Sequence, residues 1–141
     1  MVVNNVPDIL DVNNLITMMQ SMGVKVERLG IGRFSFQSAN IDESYLESDE
    51  FLKLCSSLRG SVMLMGPLLA RFGRVLISKP GGDKIGRRRL DTHFLGFQKL
   101  GATFNFDPNE EFFSVEAKKL KGCYMLLDEA SVTGTANIVM A

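Results

Sequence analysis

The stretch Pro80-Gly81-Gly82-Asp83-Lys84-Ile85-Gly86-Arg87-Arg88-Arg89-Leu90-Asp91 joins a single carboxylate to three consecutive arginines behind a pair of glycines. Glycine admits backbone conformations closed to other residues and lets a ligand come close to the main chain. The arginines precede a predicted helix start, where unpaired N–H groups and the helix dipole favour anions. Guanidinium groups match phosphate through paired hydrogen bonds. These features suit a phosphorylated ligand; on residue type alone they also describe a solvated charge run at a helix start. Asp83 has the chemistry of a general acid or base if it is held near a reacting atom. Neighbouring arginines would lower its pKa and burial would raise it. An aspartate after Pro-Gly-Gly also commonly bonds its own backbone, with no catalytic role.

Other residues carry polar chemistry in apolar settings. Arg59, in "SSLRGS", opens a strongly apolar run and either meets a fixed anion or reaches water at the helix end. "SVTG", Ser131 to Gly134, offers a hydroxyl and small residues at a helix start. That is a place for a phosphate or simply an N-cap. His93 is the only histidine, on the first turn of the helix after the arginines, and alone it reads as structural.

The elements that position these residues follow from periodicity. Residues 9–22 place Leu15, Met18, Met19 and Met22 on one helical face, closed by Gly23. "VKVERLGIGRFSFQS" predicts two strands around Gly30 and Gly32, and the acidic "ANIDESYLESDEFLKL" predicts a loop or exposed segment. "SSLRGSVMLMGPLLARFG" predicts a buried helix, kinked or restarted at Pro67 and ended by Gly73. "RVLISKP" is a strand feeding the Gly-rich loop. Leu90, Phe94, Phe97 and Leu100 then share a helical face ended by Gly101. "ATFNFD" and "FFSVEAKKL" predict strands about a turn at Asp107-Pro108-Asn109, "CYMLLD" a further strand, and "EASVTGTANIVMA" an apolar helix.

The halves are copies. At a spacing of 78, Gly23 falls on Gly101 and "SMGVKV" on "KLGATF"; at 79, "FSFQS" falls on "FSVEA". At 74, Ser57 falls on Ser131 and Gly60 on Gly134. Each unit reads as helix, two strands, a variable segment and a buried helix, a modular α+β arrangement whose units bury their faces on one another. The second unit stops at Ala141 inside its apolar helix, so the chain is expected to be a fragment of a longer protein.

Composition narrows the function classes. The chain has 141 residues, 45% of them apolar, enough for a core of its own. Sixteen basic residues balance sixteen acidic ones, which argues against a general nucleic-acid or membrane-surface binder. No apolar run reaches the roughly 18 residues that span a bilayer, and the start lacks the pattern of a secretory signal. Cys55 and Cys123 stand apart among apolar neighbours and read as buried free thiols of a cytoplasmic protein, with no metal site.

Three blocks together carry a resemblance: "RGSVMLMGPLLARFGRVLISKPGGDKIGRRRLDTHFLGFQKLGA", "LKGCYMLLDEASVTGTANIVMA" and "NVPDILDVNNLITMMQSMGVKV". They resemble the enolpyruvyl transferases, and "PGGDKIGRR" resembles the branch acting on UDP-N-acetylglucosamine more than the shikimate-pathway branch. The resemblance implies an inside-out α/β barrel built from repeated helix-and-strand units. Residues 1–141 would be part of a first domain, with about 9–80 as one unit and about 87–141 as a second, incomplete one. It implies transfer of the enolpyruvyl group of phosphoenolpyruvate to the sugar 3-hydroxyl, at the start of peptidoglycan precursor synthesis, without a cofactor. Asp83 takes the position of the proton donor, cysteine in most members, and the exchange implies fosfomycin resistance. Arg59, Arg88, Arg89, Leu90, Asp91, Thr92, Ser131 and Val132 match substrate-contacting positions, whereas Glu129 departs from a lysine found in some members. The other expected partner is the remainder of the same enzyme, and the fragment alone is expected to be inactive. A non-catalytic anion-binding module using Arg87 to Arg89 is the reading from a different class.

Overall fold

Two three-stranded antiparallel sheets, with the same strand order, organise the chain. The computed structural model describes residues 1–78, 90–107 and 112–141. The loop carrying Asp83, Arg87, Arg88 and Arg89, and the turn at Pro108-Asn109, lie outside the described residues. The chain divides into two units, Met1–Leu54 and Cys55–Ala141.

In the first unit, strand β1 (Val2–Val3) pairs with β3 (Arg33–Gln37), which pairs with β2 (Lys25–Gly30). Helix α1 (Leu10–Ser21) precedes β2 and buries Ile16 and Met18. Leu15 and Met19 are only half-buried, so the buried stripe is rotated towards Ile16 from the predicted one. Gly23 ends the helix with φ +96, where its N–H reaches Gln20 O at 3.0 Å.

The acidic segment predicted as a loop is in part helical. A 3₁₀ turn (Tyr45–Glu47) leads into helix α2 (Asp49–Ser57). Ser48 Oγ accepts the Phe51 N–H at 3.2 Å, and Asp49 and Glu50 complement the dipole in the first turn. Phe51 and Cys55, four residues apart, are both fully buried. The acidity that suggested a loop is that of a helix N-terminus.

The second unit begins with a 3₁₀ turn (Arg59–Leu64) that passes into helix α3 (Met65–Phe72). The helix expected to be kinked or restarted at Pro67 is two pieces, the α-helix starting at Met65, and Pro67 sits in its first turn, where its missing N–H costs nothing. Gly73 closes it at φ +72. Strand β4 (Arg74–Ser78) pairs with β6 (Phe112–Glu116), and β6 with β5 (Thr103–Asp107). Helix α4 (Asp91–Lys99) lies on this sheet through aromatic rings, with Phe94 4.2 Å from Phe104 and 5.1 Å from Phe113 between centroids. Helix α5 (Val132–Met140) meets both α3 and α4. Glycines permit those approaches: a Cβ on Gly66 would strike the Asn137 backbone carbonyl, and one on Gly96 would strike the Ile138 side chain.

"CYMLLD" forms no strand. Tyr124 is 99% exposed and Leu126 82%, so its apolar alternation has no sheet to bury against among the described residues. The segment instead runs past the end of α4, where Lys121 N–H reaches Leu100 O at 2.8 Å and Lys99 Nζ reaches Leu126 O at 3.2 Å. Cys123 is exposed there, contrary to its expected burial; Cys55 is buried, and its thiol is pushed up to about 12 by desolvation.

The internal copies share more than their sequence spacing. Gly23 and Gly101 have φ +96 and +97. Val2 and Val3 oppose Ser35 and Phe34 as Leu76 and Ile77 oppose Ser114 and Phe113. A strand that the sequence reading left unassigned, β1, is thus the counterpart of β4.

Gly66→Ala is expected to destabilise the protein by about 1–3 kcal/mol, because backbone rather than a movable side chain opposes the new methyl. Gly60→Ala, which would meet only the Leu58 side chain at 3.7 Å or more, should change stability by less than about 0.5 kcal/mol. Denaturant titration of the two variants checks the contrast.

Candidate functional site

The starts of α4 and α5 and the 3₁₀ turn at Arg59 converge within the second unit. Leu90 caps α4 and is half-buried, Asp91 is exposed, and Thr92 is 1% exposed. The Thr92 hydroxyl shares its proton between Asp128 Oδ1 at 3.0 Å and Glu129 Oε1 at 3.1 Å. That places the segment entering α5 against the first turn of α4. Ser131 N-caps α5, its Oγ accepting the Gly134 N–H at 3.0 Å. Gly134 is buried, and a Cβ there would stand 3.0 Å from Thr92 Cγ2, so the small residue lets the two helix starts touch. Val132 is 86% exposed.

Behind these residues is a buried polar cluster. Asn137, on the inner face of α5, is fully enclosed, as is nearly all of His93 on α4. Asn137 Oδ1 accepts the Gly66 N–H at 2.6 Å, and Nδ2 donates to Val62 O at 2.8 Å. Nδ2 also stands 3.0 Å from His93 Nδ1, and His93 Nε2 is 3.5 Å from Thr133 Oγ1. Burial lowers the His93 pKa below its ordinary value; the Arg59 charge acts in the same direction and Glu129 in the opposite one. Arg59, half-buried, therefore lies within electrostatic reach of the same cluster.

Of the residues singled out from sequence, the structure brings together Arg59, Leu90, Asp91, Thr92, Ser131 and Val132. Asp83, Arg88 and Arg89 fall outside the described residues, although Arg89 adjoins Leu90 in the chain. Sequence reasoning missed Asn137, whose one visible signal is a lone amide in an apolar helix. It treated Glu129 only as a departure, where the structure gives its carboxylate to Thr92. Among the described residues no cluster of His, Cys, Asp or Glu could hold a metal ion, and no helix is long and apolar enough to cross a membrane.

Comparison with known proteins bears on the family and the fold. A family model described as EPSP synthase (3-phosphoshikimate 1-carboxyvinyltransferase) matches residues 1–141. The UDP-N-acetylglucosamine 1-carboxyvinyltransferases of Bacteroides fragilis and Bacteroides thetaiotaomicron are each 68% identical over 139 residues, 99% of this chain. The chain spans 32% of the length of those relatives. In fold it is similar to the enolpyruvyl transferase NikO from Streptomyces tendae, with a TM-score of 0.67 at 18% identity over 86% of this chain and 25% of that one.

The lowered His93 pKa fixes a pH dependence. The unfolded chain takes up a proton near the ordinary histidine value of about 6.5, while the folded one resists it. Stability from this group is thus complete above about pH 6.5 and falls as the pH drops below it. Denaturant unfolding from pH 8 to pH 5 should show this loss, and His93→Gln should flatten that part of the curve.

Proposed function

This chain belongs to the EPSP synthase family, and on that premise we propose that the whole protein transfers the enolpyruvyl group of phosphoenolpyruvate to the 3-hydroxyl of UDP-N-acetylglucosamine. The observation that carries the sugar-nucleotide branch is the 68% identity across 99% of this chain to a relative of that name. In this reading the chain is part of a first domain of an inside-out α/β barrel acting in the cytoplasm. Residues of about 9–80 and about 87–141 belong to its two units.

The reaction is an addition followed by an elimination. Carbon 3 of phosphoenolpyruvate gains a proton and carbon 2 gains the sugar oxygen, which gives up its own proton to a base. The tetrahedral adduct then loses phosphate from carbon 2 and a proton from carbon 3, restoring the vinyl group. Asp83 is the donor to carbon 3. A carboxyl group donates only in its neutral form, so it must work where desolvation outweighs the pull of the neighbouring arginines. Arg88 and Arg89 supply charge for the phosphate groups, and Arg59 adds a third guanidinium. Leu90 and Asp91 at the start of α4, with Ser131 and Val132 at the start of α5, hold the nucleotide, and the buried Thr92, expected among the contacts, instead ties the two starts together through Asp128 and Glu129. Convergence of these two helix starts supports that assignment, since the first N–H groups of a helix favour anions and have no partner within it.

In the full-length protein, phosphate release from phosphoenolpyruvate should require UDP-N-acetylglucosamine, and Asp83→Asn should reduce it by about 10²–10⁴. Release that needs shikimate 3-phosphate instead would point to the other branch. The 141-residue chain by itself should release none. A carboxylate reacts poorly with an epoxide, so fosfomycin should leave the full-length enzyme active and inactivate its Asp83→Cys variant in a time-dependent way. Rapid covalent inactivation of the unaltered enzyme would contradict the role given to Asp83.

A further inference from the structure

Asn137 uses both hydrogens of Nδ2 and accepts at Oδ1, and all three bonds leave its own helix. Oδ1 takes the Gly66 N–H from α3, and the two hydrogens of Nδ2 go to Val62 O in the 3₁₀ turn and to His93 Nδ1 on α4. The second of these sets the imidazole tautomer. With Nδ1 accepting, the ring proton sits on Nε2, on the side of Thr133 Oγ1 at 3.5 Å. A doubly protonated ring would turn a second donor on Asn137 and add a charge facing Arg59.

The bonded elements are those that carry the candidate substrate contacts. The 3₁₀ turn begins at Arg59, α4 begins beside Thr92, and α5 begins beside Ser131. We propose that Asn137 and His93 are positioning residues for sugar-nucleotide binding, holding the Arg59 turn and the starts of α4 and α5 in one arrangement. Both side chains are shut away from solvent, so they act through Arg59, Thr92 and Ser131. The inference rests on the reaction proposed above.

The test uses the full-length enzyme with His93→Leu and His93→Gln. Leucine removes the acceptor for Asn137, whereas the glutamine carbonyl can replace it. We expect His93→Leu to raise KM for UDP-N-acetylglucosamine about tenfold while KM for phosphoenolpyruvate and kcat stay within about threefold, and His93→Gln to recover most of that loss. A fall in kcat with KM unchanged would mean only that less enzyme folds, and would overturn the inference, as would a glutamine variant no better than leucine. Should neither variant fold, long-range ¹H–¹⁵N correlation of the unaltered protein decides: a proton on Nε2 supports the arrangement and one on Nδ1 overturns it. Failure of the unaltered enzyme to turn over these substrates is a separate result that overturns the reaction itself.

Discussion

A primary amide closed off from water has to find its partners inside the protein, and Asn137 finds them on three neighbouring elements. Left unpaired, each of its polar groups would cost on the order of 1–3 kcal/mol. The surrounding contacts are apolar and weakly directional, and a helix can slide along such a surface at little cost. The amide removes that freedom. A shift of α5 by one residue would separate Oδ1 from Gly66 N–H and Nδ2 from Val62 O and His93 together. Glycine at positions 66 and 96 is what lets α3 and α4 come close enough for these bonds, so packing and polarity specify one register jointly.

That register sets the electrostatics in front of it. Burial and the Arg59 charge both favour the neutral form of His93, against the opposing pull of Glu129. A neutral ring keeps its Nδ1 lone pair for the Asn137 amide. On the other side, Asp128 and Glu129 share the Thr92 hydroxyl and tether the segment that enters α5. Anion-favouring features, a guanidinium and two helix starts, thus stand beside a carboxylate pair.

Much of the scaffold could be read from sequence, because helix ends and strand pairs are local. Gly23, Gly73 and Gly101 marked helix ends correctly, each with positive φ where other residues are strained. The aromatic alternation of "TFNF" and "FFSV" marked β5 and β6, and the 78-residue spacing marked their counterparts. Failures came where the local pattern was ambiguous. Asp49 and Glu50 looked like loop and were a helix N-terminus. "CYMLLD" alternated like a strand but, among the described residues, pairs with no strand and leaves Tyr124 and Leu126 exposed. Asn137 was invisible for another reason: its partners lie 44 to 75 residues away, and no periodicity records a bond of that range.

The two copies differ at the positions of His93 and Asn137. Subtracting 78 from His93 gives Leu15, and subtracting 74 from Asn137 gives Met63. The positions that form the polar cluster in one copy are therefore apolar in the other, while the glycines, strand pairings and sheet order are kept. Apolar residues at such positions satisfy a fold but tolerate small shifts; a hydrogen-bonded amide does not. The same spacing of 74 matches Arg59 with Thr133, so the first copy contributes a cation where the second contributes a hydroxyl next to His93. The cluster is shared between the copies: Asn137 and His93 come from the second, and the Gly66 N–H and Val62 carbonyl that fix Asn137 come from the first, so a polar register ties the two copies together.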